Sequence, residues 1–346
     1  MWTVIIVISS ILGLFLLLEL LSLLIYHRFF FTTVVAFYIK HFRYSPFRQS
    51  YEECKRLINI PHLEEYKIPN NIKFCCTVSK KQEYGMNVYY LNEETKSDGI
   101  FIYFHGGGFY NNFVKHEWKL INKIIKGTNT LVIAPDYPLI PEIRCDGLYP
   151  ILLKFYREIL KKYPNYKIVI GGDSAGGTIS MVLGELLNKE EQPDEIICLS
   201  PAVDFEIPPE DEDSFKKCIF EDKRAWPAIA EMWLGKGMSN SDPLMSPING
   251  DLSKINHMTI FFGEREFCYN SILRLKAKNE SLNERIDYKL YKGMYHVWMA
   301  TPVIEAKKAI KEINKIIKRT TFNNLAVPFE FFLLFEEISV SILIPR

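Results

Sequence analysis

The chain is most informative at Lys167-Ile-Val-Ile-Gly-Gly-Asp-Ser-Ala-Gly-Gly177. A short β-branched run is followed there by a G-x-S-x-G pentapeptide, and an apolar segment begins near Thr178. This order predicts a strand, a tight turn and a helix. Gly172 and Gly176 lack the Cβ atoms that would collide in such a turn. The hydroxyl of Ser174 is therefore expected at the end of a strand, as a candidate nucleophile.

The pentapeptide alone is a weak signal, because a serine in a strand-to-helix turn can simply cap the helix. Its neighbour Ala175 adds a second property. The backbone N–H of a residue at a helix N-terminus can donate a hydrogen bond to a developing oxyanion. Asp173, on the other side of the serine, is expected to have a supporting role.

A second glycine cluster lies upstream, where a predicted buried strand at 100–104 precedes His105 and three consecutive glycines. Each glycine costs backbone entropy on folding, so three together indicate a main chain that must approach a reacting group. We expect Gly106 and Gly107 to donate the other part of an oxyanion hole. Gly108 is expected to support them, and His105 to brace the loop by hydrogen bonding. A plain flexible turn is the alternative.

A serine nucleophile needs a base, and the pKa of histidine suits that task. His296 is the candidate among the seven histidines, because it follows a predicted strand and a glycine late in the chain. That position matches the order serine, acid, histidine. The acid should follow the strand predicted at 258–262, where Glu266 is preferred and Glu264 is the alternative. Less favoured acids are Asp251 and Asp287.

Six pieces of the sequence, in order, resemble the hormone-sensitive-lipase branch of the α/β-hydrolases, which includes arylacetamide deacetylases and fungal steryl acetyl hydrolases. The resemblance implies a mostly parallel central sheet flanked by helices, a helical cap, and a serine ester hydrolase that needs no cofactor or metal. It assigns catalysis to Ser174, His296 and an acid, and the oxyanion hole to Gly106, Gly107 and Ala175. The matching pieces are His105-Gly-Gly-Gly-Phe109, Ala134-Pro-Asp-Tyr-Pro-Leu-Ile-Pro-Glu142, Gly172-Asp-Ser-Ala-Gly-Gly177, Leu199-Ser-Pro-Ala-Val-Asp204, Asp242-Pro-Leu-Met-Ser-Pro247 and Gly293-Met-Tyr-His-Val-Trp298.

The sequence departs from this family at two positions. Glu266 stands where the family often has aspartate, although members similar to steryl acetyl hydrolases look like Gly-x-Arg-Glu there, as this chain does. Pro138 stands where an arginine is frequent, and we interpret that position as structural.

Residues 2–26 are almost wholly apolar, and a bilayer-spanning helix needs about 20 such residues. A signal peptide would have a shorter apolar core, a basic start and a cleavage site, which are not evident. We therefore favour an uncleaved anchor. The expected organisation is a transmembrane anchor at 1–28, juxtamembrane and cap helices at 29–65, a hydrolase domain at 66–320 with a cap insertion near 205–250, and an apolar tail without an assigned role at 321–346.

The orientation in the membrane is contested. Several basic residues follow the span, and the positive-inside tendency would keep the hydrolase domain cytosolic. Proteins of the resembling family are typically anchored in the endoplasmic reticulum with the hydrolase domain in the lumen. The glycosylation sequon Asn279-Glu-Ser281 is compatible with the lumen. We favour a single-pass protein of the endoplasmic reticulum membrane with a lumenal domain.

Length and charge narrow the class of protein. A chain of 346 residues can bury the core of one decorated α/β domain. The formal net charge of +1 implies no basic face, so nucleic acid is not an expected partner. The seven cysteines contain no C-x-x-C pair, so neither a zinc site nor a redox motif is indicated. We interpret them as buried thiols, with one disulfide if the compartment is oxidising.

The sequence thus predicts a membrane-anchored carboxylic ester hydrolase that removes short acyl groups, such as acetyl, from lipophilic substrates. Sterol acetates are the substrates that the resemblance favours. One alternative is a deacetylase of lipophilic amides, because the same residues serve both reactions. Another is a non-catalytic receptor with a hydrolase fold, which the presence of both Ser174 and His296 disfavours. Apolar residues at helical spacing, Trp226, Ile229 and Trp233, fall in the expected cap, as core packing or as substrate contacts.

Overall fold

The computed structural model describes residues 2–282 and 284–321. The chain begins with a long apolar helix and a second, shorter apolar helix, and a third helix follows at the segment where the sequence is amphipathic. These helices are α1 (Trp2–Tyr26), α2 (Phe30–Phe42) and α3 (Tyr51–Ile58). Apart from its first residue, the apolar tail predicted at 321–346 lies outside the described residues.

An eight-stranded sheet in the order β1-β2-β4-β3-β5-β6-β7-β8 forms the centre of the molecule. Strand β2 pairs antiparallel with both β1 and β4, and every other pair in the sheet is parallel. The strands are β1 (Val78–Glu83), β2 (Met86–Leu91), β3 (Gly99–Phe104), β4 (Leu131–Asp136), β5 (Lys167–Asp173), β6 (Glu195–Leu199), β7 (Met258–Arg265) and β8 (Ile286–Tyr295). The predicted mostly parallel α/β architecture is confirmed.

Helices cover both faces of the sheet, and this explains why its central strands are apolar at nearly every position. Side chains alternate between the faces, so Ile100 and Ile102 pack in one core while Phe101 and Tyr103 pack in the other. Helices α5, α6, α8 and α9 contribute to the first core, and α2, α4 and α10 to the second. The remaining helices are α4 (Lys115–Thr128), α5 (Cys145–Lys162), α6 (Ala175–Leu186), α7 (Glu212–Lys217), α8 (Trp226–Trp233), α9 (Tyr269–Lys278) and α10 (Ile304–Thr321).

The predicted site residues all follow strands that end at the same edge of the sheet. Strand β3 ends just before the glycine loop, and β5 ends immediately before Ser174. Strand β7 ends one residue before Glu266, and β8 ends one residue before His296. Because the carboxyl ends of parallel strands lie together, this topology gathers residues that are far apart in sequence.

The two segments predicted to form a cap contact each other. Helix α3, from the segment 29–65, lies against α8, from the insertion at 205–250, and Lys55 Nζ is 2.8 Å from Glu231 Oε1. Within the described residues, α1 is the one helix long and apolar enough to cross a membrane, and a signal sequence would share these properties. All seven cysteines are free thiols.

Candidate active site

Ser174 lies in a strained turn between β5 and α6. Its backbone angles are φ 50° and ψ −117°, a conformation that residues other than glycine rarely adopt. Glycine is required on both sides, because a Cβ atom at Gly172 or at Gly176 would collide with the carbonyl oxygen of Phe104. The Ser174 N–H donates to the carbonyl of Leu199 at 2.8 Å. The sheet therefore holds the serine in this conformation, and its side chain lines the pocket described below.

The structure brings Ser174, His296 and Glu266 into one hydrogen-bonded chain. His296 Nε2 is 2.8 Å from Ser174 Oγ, and His296 Nδ1 is 3.1 Å from Glu266 Oε2. Glu266 is fully buried, and its other oxygen accepts a hydrogen bond from the Gly263 N–H at 2.7 Å. Both carboxylate oxygens are thus engaged, which fixes the orientation of the carboxylate and, through it, of the imidazole ring.

The alternative acids lie elsewhere. Glu264 accepts a hydrogen bond from the Gly293 N–H at 2.9 Å and faces His27 Nδ1 at 3.5 Å. Asp251 accepts from the backbone of its own turn at Ser253, and Asp287 faces the side chain of Lys289. Of the four carboxylates considered, Glu266 is the one in contact with His296.

A second carboxylate, which the sequence analysis did not identify, faces the other side of the imidazole. Glu221 Oε1 is 3.8 Å from His296 Nε2, and Glu221 Oε2 accepts a hydrogen bond from the Cys218 thiol at 2.9 Å. Burial lowers the pKa of His296, but the charges of Glu221 and then Glu266 outweigh burial and raise that pKa above 6.5. No sequence motif marks Glu221, which lies in the irregular segment before α8.

In the glycine loop, the structure differs from the prediction that Gly106 is an oxyanion donor. The Gly106 N–H donates to the Glu117 carboxylate at 2.9 Å, so it is not free to bind an oxyanion. Gly107 and Gly108, at φ +100° and +63°, line the pocket beside Ser174 instead. Among the described residues, the N–H groups of Gly107, Gly108 and Ala175 have no hydrogen-bond acceptor. The geometry therefore replaces Gly106 with Gly108 as a candidate oxyanion donor.

Two buried carboxyl groups support this loop from behind. Besides Gly106, Glu117 accepts a hydrogen bond from the Val114 N–H at 2.6 Å, and Asp173 accepts one from the Tyr103 hydroxyl. Burial raises the pKa of Asp173 to about 6, and burial followed by the charge of Asp173 raises the pKa of Glu117. The signal of Glu117 in the sequence is weak, an acidic residue in the first turn of a helix.

His105 contacts the glycine loop that follows it. Its Nδ1 lies 2.8 Å from the Gly106 carbonyl oxygen, and its ring stacks on Tyr137 with the centroids 4.2 Å apart. The Tyr137 hydroxyl donates to the His105 carbonyl at 2.7 Å. Burial lowers the pKa of His105 to about 3, so this histidine is neutral. A side chain with so low a pKa is a poor general base.

Ser174 and His296 line a cavity of about 190 Å³. Apolar side chains form much of its wall, and two of the predicted cap residues, Trp226 and Ile229, are among them. Trp233 instead packs in the core, where it stacks on Phe109 at 4.0 Å. A larger open groove of about 880 Å³ lies between β8 and α10, away from Ser174.

Glu266, Cys268 and His296 are the described residues whose potential metal-ligand atoms cluster, within 4.8 Å of one another. Glu266 and His296 already share a hydrogen bond. Burial raises the pKa of the Cys268 thiol well above its usual value, which keeps the thiol protonated. The cluster therefore suits proton transfer better than binding of a metal ion.

This chain is similar to known hydrolases along much of its length. The family described as the alpha/beta hydrolase fold matches residues 101–300. An esterase of Acinetobacter venetianus is 24% identical over 64% of this chain and 76% of its own length. The carboxylesterase/phospholipase LipF of Mycobacterium tuberculosis is 23% identical over 66% and 64%, and an acetyl-hydrolase of Streptomyces hygroscopicus is 24% identical over 66% and 79%.

Solved structures support the same assignment at the level of the fold. An esterase of the bacterial hormone-sensitive lipase family superposes with a TM-score of 0.69 at 23% identity, over 84% of this chain and 97% of its own. A hormone-sensitive lipase from a metagenome library superposes with a TM-score of 0.67 at 22% identity, over 79% and 99%. With more than half of its residues matched by the family and the fold shared with these structures, the chain belongs to the alpha/beta hydrolases.

Proposed function

We propose that this protein is a carboxylic ester hydrolase that removes short acyl groups, acetyl in particular, from lipophilic alcohols. The observation that carries the proposal is the hydrogen-bonded chain from Ser174 through His296 to Glu266. Beside Ser174 lie the backbone N–H groups of Gly107, Gly108 and Ala175, which have no acceptor among the described residues. The relatives are named esterase, carboxylesterase/phospholipase and acetyl-hydrolase, and these names support the same chemistry.

In the first half of the reaction, Ser174 Oγ attacks the acyl carbon while its proton passes to His296 Nε2. Glu266 holds the ring and stabilises the imidazolium. The negative charge on the tetrahedral oxygen is met by the N–H groups of Gly107, Gly108 and Ala175. His296 then returns the proton to the leaving alcohol, and the acyl group stays on the serine.

The second half repeats these steps with water. A water molecule attacks the acyl carbon as His296 Nε2 takes one of its protons, and the same backbone donors stabilise the second tetrahedral intermediate. Collapse of that intermediate returns the proton to Ser174 Oγ and releases the carboxylic acid.

The pocket supports a short acyl group and an apolar alcohol. Its volume of about 190 Å³ is small, since drug-sized ligands occupy pockets of roughly 300–1,000 Å³. Phe47, Trp226, Ile229 and Phe267 provide apolar walls. We propose sterol acetates as the substrates on the basis of the resemblance to steryl acetyl hydrolases. A cavity of this volume would take the acetyl group and the ester, while most of the sterol would lie outside it. We also propose α1 as an uncleaved anchor in the endoplasmic reticulum membrane, with the hydrolase domain in the lumen.

Hydrolysis by the detergent-solubilised full chain tests the substrate class. We expect kcat/KM for nitrophenyl acetate to exceed that for nitrophenyl dodecanoate by at least about tenfold, because each extra methylene in a closed pocket is penalised. A sterol acetate should be hydrolysed faster than the matching sterol acetamide. Faster turnover of the amide would establish the deacetylase alternative, and a preference for the long acyl chain would contradict the assignment of a short acyl group.

The charge of Glu221 leads to a prediction about pH. The base must be neutral to accept the serine proton, so activity should fall as the pH drops through the pKa of His296, which lies above 6.5. Glu221→Gln removes a negative charge 3.8 Å from Nε2 and lowers this pKa. The acid limb of the kcat/KM profile should therefore move to lower pH.

Glu231→Gln is the matched control for this profile. It removes a cap carboxylate that pairs with Lys55 rather than with His296, so its acid limb should coincide with that of the wild type. An unchanged limb in Glu221→Gln, or a limb moved to higher pH, would show that Glu221 does not act on the imidazole.

A further inference from the structure

We propose that α2 lies in the lipid–water interface, with its outer face in the headgroup layer, and that ester substrates reach the pocket from the bilayer beside its C-terminal end. This inference rests on the proposed anchoring by α1 and specifies how the anchored enzyme meets its substrate. It concerns a surface of α2 that hydrolysis of a water-soluble ester does not require.

Helix α2 is apolar on two opposite sides. Its inner side, with Thr32, Ala36 and Ile39, is buried against the domain. Its outer side carries large apolar side chains at helical spacing, and those of Val34, Phe37 and Tyr38 are 47%, 58% and 60% exposed. A helix that faces water normally presents polar residues on its outer side. The outer face of α2 therefore fits an apolar surrounding, and the headgroup boundary accepts aromatic residues readily.

The turn between α1 and α2 fixes the position of α2 relative to the membrane anchor. The Phe30 N–H at the start of α2 donates to the Glu19 carboxylate of α1 at 3.1 Å. The Ser22 hydroxyl donates to the Arg28 carbonyl at 2.9 Å and lies 2.6 Å from Thr33 Oγ1. The acidic residue in the span is thus a partner of the second helix, and it holds α2 at the depth where α1 leaves the membrane.

The same turn is attached to the hydrolase domain. The Arg28 guanidinium donates to the Gly293 carbonyl of β8 at 3.2 Å, and Glu305 of α10 accepts a hydrogen bond from the Phe29 N–H at 2.9 Å. Both contacts lie close to the edge of the sheet that carries His296. The anchor therefore orients that edge, and with it the pocket, toward the membrane.

Basic side chains are grouped at the C-terminal end of α2. Lys40 and His41 occupy its last turn, and Arg43 and Arg48 follow. The Arg48 guanidinium donates to the backbone carbonyls of Lys40 and Arg43, which keeps the group together. Cationic side chains next to an apolar helix face complement the phosphates of lipid headgroups. A phospholipid bilayer is therefore the partner that fits this face.

The pocket reaches the C-terminal end of α2. Ile39 of α2 lines it, together with Arg43, Tyr44, Phe47 and Arg48 from the segment that follows. An ester dissolved in the bilayer can thus pass from the leaflet that contacts α2 to Ser174 without first crossing bulk water. The cost of transferring its apolar surface into water is avoided.

Two double variants of the full chain, reconstituted in phosphatidylcholine–phosphatidylserine vesicles, test the inference. Val34→Glu with Phe37→Glu places charges on the outer face of α2, and neither residue lines the pocket. Leu186→Glu with Leu273→Glu is the control, at exposed apolar positions on α6 and α9. We expect the α2 variant to hydrolyse a bilayer-dissolved sterol acetate about tenfold more slowly than the control, while both hydrolyse water-soluble nitrophenyl acetate at the wild-type rate within about twofold. Equal rates of the two variants on the sterol acetate would overturn the inference.

Photocrosslinking separates this inference from the proposed function. Benzoylphenylalanine in place of Phe37 should form a covalent adduct with vesicle lipid, detected by mass, and the same group in place of Leu186 should not. Helix α6 begins at the site and ends at Leu186, at the opposite edge of the sheet. A protein that hydrolyses esters but gives no lipid adduct at position 37 would retain its proposed function and lose the interfacial role of α2. A lipid adduct without hydrolysis of any ester would support the interfacial role of α2 and contradict the proposed hydrolase function.

Discussion

Ser174→Ala is expected to abolish ester hydrolysis, with kcat reduced by about 10⁴- to 10⁶-fold. The change removes the oxygen that lies 2.8 Å from His296 Nε2 and leaves the backbone donors in place. Residual activity should reflect the oxyanion donors and substrate binding alone. The measurements are nitrophenyl acetate hydrolysis and covalent labelling with a fluorophosphonate, which should mark the wild type and not the variant.

Ser180→Ala is the matched control for this experiment. Ser180 lies on α6, the helix that follows Ser174, and donates to the Gly176 carbonyl within that helix at 2.8 Å, so its replacement should leave labelling unchanged. Labelling of Ser174→Ala at the wild-type level would identify another nucleophile. A folded wild-type protein that is not labelled would favour the non-catalytic receptor.

Glu266→Gln is the second change with a large expected effect, a fall in kcat of about 10²- to 10⁴-fold. Glutamine keeps the shape but has only one oxygen, whereas Glu266 accepts hydrogen bonds at both oxygens, one from the Gly263 N–H and one at His296 Nδ1. An amide group in this place either loses the Gly263 contact or presents its NH₂ to the imidazole. In both cases the imidazolium loses its counter-charge.

Glu264→Gln provides the comparison, because it makes the same chemical change two residues away. Glu264 contacts the Gly293 N–H and faces His27, so kcat/KM for nitrophenyl acetate should stay within about tenfold of the wild type. A greater loss of activity in Glu264→Gln than in Glu266→Gln would reverse the assignment of the acid.

The fold was predictable because its decisive features are local. The turn around Ser174 needs glycine at 172 and 176, and the sequence displays both beside an apolar strand and an apolar helix. His296 was predictable from its order in the chain, since the topology brings the end of β8 to the same edge of the sheet as the end of β5. The structure places their side chains in hydrogen-bond contact.

The choice between Glu264 and Glu266 depends on features that periodicity does not contain. Residues two apart in a strand point to the same face, so alternation treats both glutamates alike. In the structure, the register between β7 and β8 shifts between Gly263 and Arg265, and β7 ends before Glu266. This register shift, together with the end of the strand, places the side chains of Glu264 and Glu266 in different surroundings.

The remaining site residues depend on tertiary contacts. Glu117 takes the N–H of Gly106, and it does so from a helix face whose position relative to the glycine loop is set by packing on the sheet. Glu221 approaches His296 from an irregular segment that has no periodic pattern. Neither contact is visible as a local pattern in the sequence. Because the contact of Glu117 with the Gly106 N–H is one of them, Gly106 was predicted as an oxyanion donor.

The order of the strands along the chain has a consequence for synthesis on the ribosome. Strand β5 delivers Ser174 early, whereas Glu266 and His296 emerge only after β7 and β8 have been translated. A nascent chain therefore carries the Ser174 hydroxyl before it carries the base that activates it. The hydrogen-bonded chain from Ser174 to Glu266 can form only when β8, at the edge of the sheet, has joined it.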